Sequence, residues 1–525
     1  MTSAATARSG ARTAAGVTAA IIGWLFLVEI TSGILQGYYV PLIPDLVNHL
    51  GIHDADFNWF EAAQLLLSAL VVPILAKLGD MYGHKRILLA STVLTAAASW
   101  WLAFAGDFWS FLAAWALQGF YVVWLPLEVA LIFDRGRRSG RGPSQTRRAA
   151  GLLVVALEAG AIIGALSAGR VFAALGENVT LTLFVPAIAV TLVFFAILFG
   201  VPESEPGTEK RSLDIVGFSL LTIGLLLITS GLTFMRINGP ETWWVWALIA
   251  VGVVSFWPFG KWELKQADPA IDLRVMRQPT MWPVLLTAGL VGISLLGAQA
   301  PLATYAGTDT ANGYGLGLDA SDISTLIGTY LISMILGALL FPVLSKRFSP
   351  RVALIAAAFL VALGYLMFIP FHLEVWQVFL NMFIAGVGSG ALVGALPAAA
   401  AAAAPQGQTG VASALTNTTK TIGGSFASAV FGVVLLAGAA SAVTSTAASL
   451  AGYMVVWAVC GLGALAAAVL LFFVPKLAFA DPDAAAAAPR GGVSTGSTSG
   501  SSSPGGVSTG STSGRDDTVP EPLVE

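Results

Sequence analysis

The chain has 525 residues, 56% of them hydrophobic and only 10% charged, with a formal net charge of -3. A soluble protein carries about 25% charged residues, so this chain cannot clothe itself in a water-facing surface, and an all-α polytopic membrane protein is expected. Its single cysteine, Cys460, excludes an intrachain disulfide and any zinc or iron–sulfur site built from cysteines.

A membrane-spanning helix needs about 20 apolar residues. Fourteen such runs are predicted, at 17–44, 57–78, 85–106, 108–133, 151–175, 180–201, 214–235, 242–260, 281–306, 322–344, 352–372, 375–402, 410–438 and 447–475. Arg8 and Arg12 precede the first run, which is too long for a secretory signal and is not followed by a small-residue cleavage site. The basic residues test the count. With the N-terminus in the cytoplasm and the runs alternating, only Arg170 and Arg236 of the 26 Lys and Arg fall outside, and Lys420 lies within a helix. The others are cytoplasmic or at the inner boundary, as the positive-inside rule requires. The loop after the fourth run alone holds Arg135, Arg137, Arg138, Arg141, Arg147 and Arg148. A missed or extra helix would scramble this pattern. Both termini are expected in the cytoplasm.

Between the second and third runs lies a short charged hinge, Leu75 to Leu89. Gly79 and Gly83 suit a tight turn, Asp80 can cap the next helix, and Lys85 and Arg86 hold the turn in the cytoplasm. The stretch Leu344 to Ile355 echoes it, with Lys346 in place of Asp80 and Arg351 matching Lys85. Two such hinges imply two six-helix bundles, at 17–201 and 281–477. Residues 202–280 then form an inserted helix pair with its linkers, and 1–16 a short cytoplasmic N-terminus. Parallel repeats of this kind place a substrate site between the halves near the midplane. From 478 to 525 the composition changes. The stretch 491–500 recurs at 505–514, and Gly, Ser and Thr cannot bury a core, so a disordered cytoplasmic tail is expected.

An ionised side chain at mid-membrane costs about 2.5–3.5 kcal/mol on insertion scales, so those present face a cavity or a partner. Glu29, Ser32, Gly33, Gln36 and Gly37 share one face of the first helix, which either lines a cavity or packs closely. Gln118, Tyr121 and Glu128 share a face of the fourth, with Trp115 positioned either to stack on a ligand or to pack. Glu158 opens the polar side of the fifth, followed by Gly160, Gly164 and Gly169. Asn417, Lys420, Thr421 and Gly424 share a face of the thirteenth, where Lys420 either offsets a carboxylate across the bundle or snorkels. Of the four histidines, His49 and His53 fall in an outer loop, with His84 and His372 far away. This set is too sparse for a membrane enzyme. No Gly-Lys-Ser/Thr phosphate loop occurs, so the chain is not an ATPase.

The hinge, through Asp80, Gly83, Lys85 and Arg86, resembles the signature loop between helices 2 and 3 of the major facilitator superfamily. It departs from that pattern at Ala76, Met81 and His84. The inserted pair, flanked by Leu213 to Phe218 and Lys261 to Pro269, looks like that of the fourteen-helix drug:proton antiporters. So does the stretch Gly410 to Gly424. Gly160 to Gly169 is similar to the antiporter motif of helix 5, with Ala165 for its Pro and Ala168 for one Gly. Trp115 stands where the family has an Arg, and Leu35 where it has an Asp.

The resemblance implies a secondary transporter working by alternating access. It exports hydrophobic or amphipathic, drug-like molecules in exchange for protons, with no cofactor beyond the proton gradient. It implies a cytoplasmic gate of Asp80, Gly83, Lys85, Arg86, Lys346 and Arg351, with Asp134 as the acid partner of Arg86 or Lys85. Glu29, Glu128 and Glu158 are the candidate proton carriers, with Glu29 first for its depth. Gln36, Trp115, Gln118, Tyr121, Asn417 and Lys420 complete the candidate cavity. The expected partners are a small-molecule substrate, protons and the lipid bilayer of a bacterial inner or plasma membrane. No nucleic acid is expected, and the chain is expected to be a monomer. A narrower exporter, a metabolite importer and a transporter without proton coupling remain alternatives, with a non-transporting membrane receptor or a membrane enzyme less favoured.

Overall fold

A bilayer offers no partner to a bare peptide group, so an apolar run that crosses it closes its own hydrogen bonds as a helix. The computed structural model describes residues 21–138, 142–203, 213–267, 269–403, 409–436 and 446–473. Among them are 14 helical spans long and apolar enough to cross a membrane. In the first half these are α1 (Ile21–Leu50), α2 (Asp54–Tyr82), α3 (His84–Phe104), α4 (Phe108–Ile132), α5 (Gly151–Ala174) and α6 (Val179–Gly200). The inserted pair is α7 (Ile215–Met235) and α8 (Trp243–Glu263). The second half holds α9 (Trp282–Gly307), α10 (Ala320–Arg347), α11 (Pro350–Met367), α12 (Val375–Ala401), α13 (Ala412–Leu436) and α14 (Leu450–Phe473). No strand occurs among the described residues, and the expected all-α class and number of spans are observed. The N-terminal stretch, the Gly/Ser/Thr-rich tail and the side chain of Asp134 lie outside the described residues.

Most boundaries shift by a few residues, and two of the shifts change what the residues there do. The first span runs on past residue 44. Pro41 lies in a 3₁₀ turn at Val40–Leu42, and Pro44 in the first turn of a helix at Ile43–Leu50. A proline there has its φ preset and lacks only an N–H that would have had no partner. Gly51, left-handed at φ 61°, then ends the helix. His49 therefore sits on a helix and not in the expected outer loop. The second difference is the hinge. The helix of α2 continues to Tyr82, so the connection to α3 is Gly83 alone, at φ 106°. Asp80 lies in the last turn and does not cap α3, which has no side-chain cap. Its Oδ1 instead meets His84 Nε2 across the turn at 3.1 Å. Gly79 provides space, not a turn: a Cβ there would fall 2.6 Å from Leu127 Cδ2.

The halves α1–α6 and α9–α14 repeat one arrangement. Backbones of α1 and α5 meet so closely that a Cβ on Gly33 would lie 2.0 Å from the Leu157 carbonyl, and one on Gly160 2.1 Å from that of Ile30. The α9–α13 crossing is built alike: a Cβ on Gly292 would lie 2.0 Å from the Lys420 carbonyl, and one on Gly423 2.1 Å from that of Gly289. Lipid is as apolar as leucine, so helices in a membrane associate through such close packing. The two aligned hinge cations also act alike. Lys85 donates to the Leu198 carbonyl at the end of α6 (2.9 Å), and Arg351 Nε to the Leu471 carbonyl near the end of α14 (3.1 Å). Each places positive charge on the negative end of a helix. The inserted α7–α8 hairpin lies against α2 and α13. Its outer helix, α8, exposes Trp243, Trp246 and Trp257, the aromatic residues that favour membrane interfaces.

Hydrogen bonds join the halves at the end opposite the Gly83 turn. Gly169 N on α5 donates to Ser324 Oγ on α10 at 2.9 Å. Ser425 Oγ on α13 donates to the Ala62 carbonyl on α2 at 2.8 Å. Asp54 N donates to the Thr446 carbonyl at 2.9 Å, and Ala448 N returns to Asp54 Oδ2 at 3.3 Å. At the Gly83 end, Lys85 and Arg351 bond within their own halves, and Arg86 Nε lies 3.6 Å from Glu203 on the linker just after α6.

Candidate functional site

Besides the 3₁₀ turn within α1, two spans are interrupted, and each interruption has a residue-level cause. Pro301 has no N–H to offer the Gly297 carbonyl, so α9 divides into Trp282–Leu295 and Gln299–Gly307. Gln299 Nε2 donates to the Leu295 carbonyl at 3.1 Å, satisfying one group freed by the break. In α4 a 3₁₀ segment, Gly119–Val123, separates Phe108–Gln118 from the helix that begins at Trp124. Here α4 presses on α2, and Ser68 Oγ donates to the Gly119 carbonyl at 3.1 Å.

A cavity of about 160 Å³ opens beside the α9 break. Gln36 and Glu158 reach it from the first half, and Gln299, Tyr330 and Lys420 from the second. Most of the remaining wall is apolar and includes Met334 and Met382. Glu158 and Lys420 are half-buried and act on each other as opposite charges. A water molecule occupies about 30 Å³ and drug-sized ligands fill pockets of about 300–1,000 Å³. The cavity therefore admits water as it stands, and a larger guest requires the halves to part or the flexible methionines to swing.

The structure thus brings Gln36, Glu158 and Lys420 together and separates them from the other candidates. Asn417, one turn from Lys420, is exposed and is not on the cavity wall. Trp115 is buried by packing: it stacks on Phe111 at 5.7 Å and meets the edges of Tyr39 and Phe57 at 5.1 and 5.0 Å. Gln118 Nε2 donates to Tyr39 Oη at 2.8 Å and to Ser99 Oγ at 3.2 Å, inside the first half. Tyr121 stands beside Glu61, a buried acid that the sequence reading missed. Its signal was available: an acid one turn inside a long apolar helix. Glu29 and Glu128 are both 0% exposed and lie against each other, one from α1 and one from α4. All four carboxyl oxygens are out of water, and among the described residues no N–H or O–H donor reaches them.

Over residues 25–428 and 313–503 the chain matches the Major Facilitator Superfamily. It is 24% identical over 405 residues to a triacylglyceride transporter of Mycobacteroides abscessus, covering 73% of this chain and 76% of that protein. It is 27% identical over 407 residues to the cephamycin export protein CmcT of Amycolatopsis lactamdurans, covering 74% and 79%. A solved peptide transporter of the POT type, in complex with sulfate, superposes with a TM-score of 0.62 at 15% identity, covering 87% of this chain and 94% of that one. Identity that low speaks to the fold alone. The family match takes in most of the chain and the architecture agrees with it, so the chain belongs to the Major Facilitator Superfamily and is a multi-pass membrane transporter, not an enzyme.

Proposed function

We propose that the protein exports hydrophobic or amphipathic small molecules by alternating access, driven by the proton gradient. In this reading the Gly83 end faces the cytoplasm, where both termini also lie. The observation that carries the proposal is the cavity itself: one carboxylate and one ammonium from opposite halves, set in an otherwise apolar wall. Such a site suits a cargo with a greasy body and a polar or charged group. That group can replace one member of the Glu158–Lys420 pair, and the pair must separate when the halves rock. The names of the two relatives, one a triacylglyceride transporter and one an exporter of cephamycin, support this class of cargo. Asp80, Gly83, Lys85, Arg86, Lys346 and Arg351 act as the cytoplasmic gate, with Asp134 at the foot of α4 as the acid they approach on closure.

The test is accumulation of a panel of fluorescent dyes in cells that do or do not express the protein, with and without an uncoupler. Exclusion that disappears with the uncoupler, and with Glu158→Gln, is the expected result. Energy-dependent gain of dye would make the protein an importer. Identical accumulation in both kinds of cell would overturn the export reading.

A further inference from the structure

We infer that Glu29 and Glu128 share a bound proton, and that this carboxyl pair, not the cargo cavity, is where the protein carries the proton it exchanges. The inference rests on the proton-coupled reading above and gives it a place in the fold. The two side chains are fully buried and adjacent. Four carboxyl oxygens without a donor present acceptors only. Two bare carboxylates in contact would repel strongly in a medium of low dielectric constant. One proton removes the conflict. It turns one carboxyl into a donor, and the other carboxyl, lying against it, is an acceptor.

The surroundings offer no alternative counter-charge among the described residues. On α5, Glu158 faces Lys420 across the cavity. On α2, Glu61 stands beside Tyr121 of α4, and Asp80 meets His84 of α3. The charged group that acts on Glu29 is Glu128, and the one that acts on Glu128 is Glu29. The pair also lies away from the cavity: Glu29 is seven residues before Gln36, about 10 Å along a helix at 1.5 Å per residue, on the side of the Gly83 end.

Its two supports differ in stiffness. Close glycine packing on α5 holds α1, whereas α4 contains the 3₁₀ segment Gly119–Val123 just before Glu128, and a short 3₁₀ stretch within a helix often marks a hinge. When the pair opens to water, the O–H bond breaks and the proton passes to that water. The two carboxylates then repel, and α4 is the helix that can yield.

The experiment uses the purified full-length protein in lipid. Infrared spectroscopy of the wild type shows a protonated-carboxyl C=O stretch that shifts in D₂O. Glu29→Gln and Glu128→Gln each lose it, because a glutamine amide donates to the remaining carboxylate in place of the proton. Glu158→Gln retains it. A stretch present in all four proteins, or in none, overturns the shared proton. The carrier role is read in proteoliposomes with ethidium as the probe. A proton gradient drives ethidium accumulation in the wild type, and Glu29→Gln abolishes that drive while ethidium exchange without a gradient continues. Gradient-driven accumulation that persists in Glu29→Gln overturns the carrier role. A wild type indifferent to the gradient overturns the proton-coupled reading, and the infrared result is then judged separately.

Discussion

A lysine inside a membrane span needs something to offset its charge, and the opposite charge that acts on Lys420 is Glu158 on the other half. Removing one member leaves the other uncompensated, which costs more than removing both. Lys420→Met should therefore lower the thermal unfolding temperature of the purified protein, and Glu158→Gln with Lys420→Met should recover most of the loss. A double-mutant cycle should give a coupling of about 1 kcal/mol; no coupling would mean the two charges are independently solvated. Neither variant should transport. Trp115 makes the opposite case. Packed among Phe111, Tyr39 and Phe57, it should tolerate Phe with little change in which dyes are exported, whereas Trp115→Ala opens a void costing about 3–5 kcal/mol. At this scale the sequence showed which side chains were exceptional but not which ones meet. Glu29, Glu128, Glu158 and Lys420 stand out because charge is rare in an apolar run. Their pairing depends on how helices from distant parts of the chain are rotated about their axes, and a hydropathy pattern carries no such angle.

Helices follow more directly from composition, because a bilayer forces any long apolar run to pair its own backbone. That is why all fourteen spans could be placed from run length and the distribution of Lys and Arg. The interruptions were less legible, because proline acts in opposite ways. Pro44 starts a helix that was expected to have ended, while Pro301 divides one that was expected to be continuous. The difference lies in position: Pro44 falls in a helix's first turn, where its missing N–H breaks no ladder, while Pro301 withholds an N–H from the Gly297 carbonyl. The glycines of α5 were visible as a motif, but their function emerges only against α1. Gly160→Val should destabilise the protein by about 1–3 kcal/mol through overpacking, since even a Cβ would fall 2.1 Å from the Ile30 carbonyl. Gly23→Val serves as the control, because a Cβ there meets nothing within 4 Å. Thermal unfolding of the two variants in one detergent checks this; equal stabilities would mean that the α1–α5 crossing can relax.

For the molecule as a whole, the hydrogen bonds between halves have a mechanical consequence. Ser425 to Ala62 and Gly169 to Ser324 tie the halves together at one end, while Lys85 and Arg351 at the other end bond inside their own halves and Arg86 meets the linker after α6. Each of these two contacts sets a single serine hydroxyl against a backbone group, a light closure that suits a seal that must form and break in each cycle. Only differential binding to the two states can shift the balance between them, so trapping one state should stop transport without destroying the site. A cysteine pair at positions 62 and 425 offers the trap. Ala62→Cys with Ser425→Cys, joined by a short crosslinker, should hold this end shut. Dye binding from the Gly83 side should survive, net export should cease, and a reducible linker should restore export when cleaved. The native Cys460 is fully buried and will not compete for the reagent. Export at the wild-type rate with the crosslink in place would show that cargo does not leave between α2 and α13, and the rocking of two halves about a central cavity would have to be replaced by another route through the bundle.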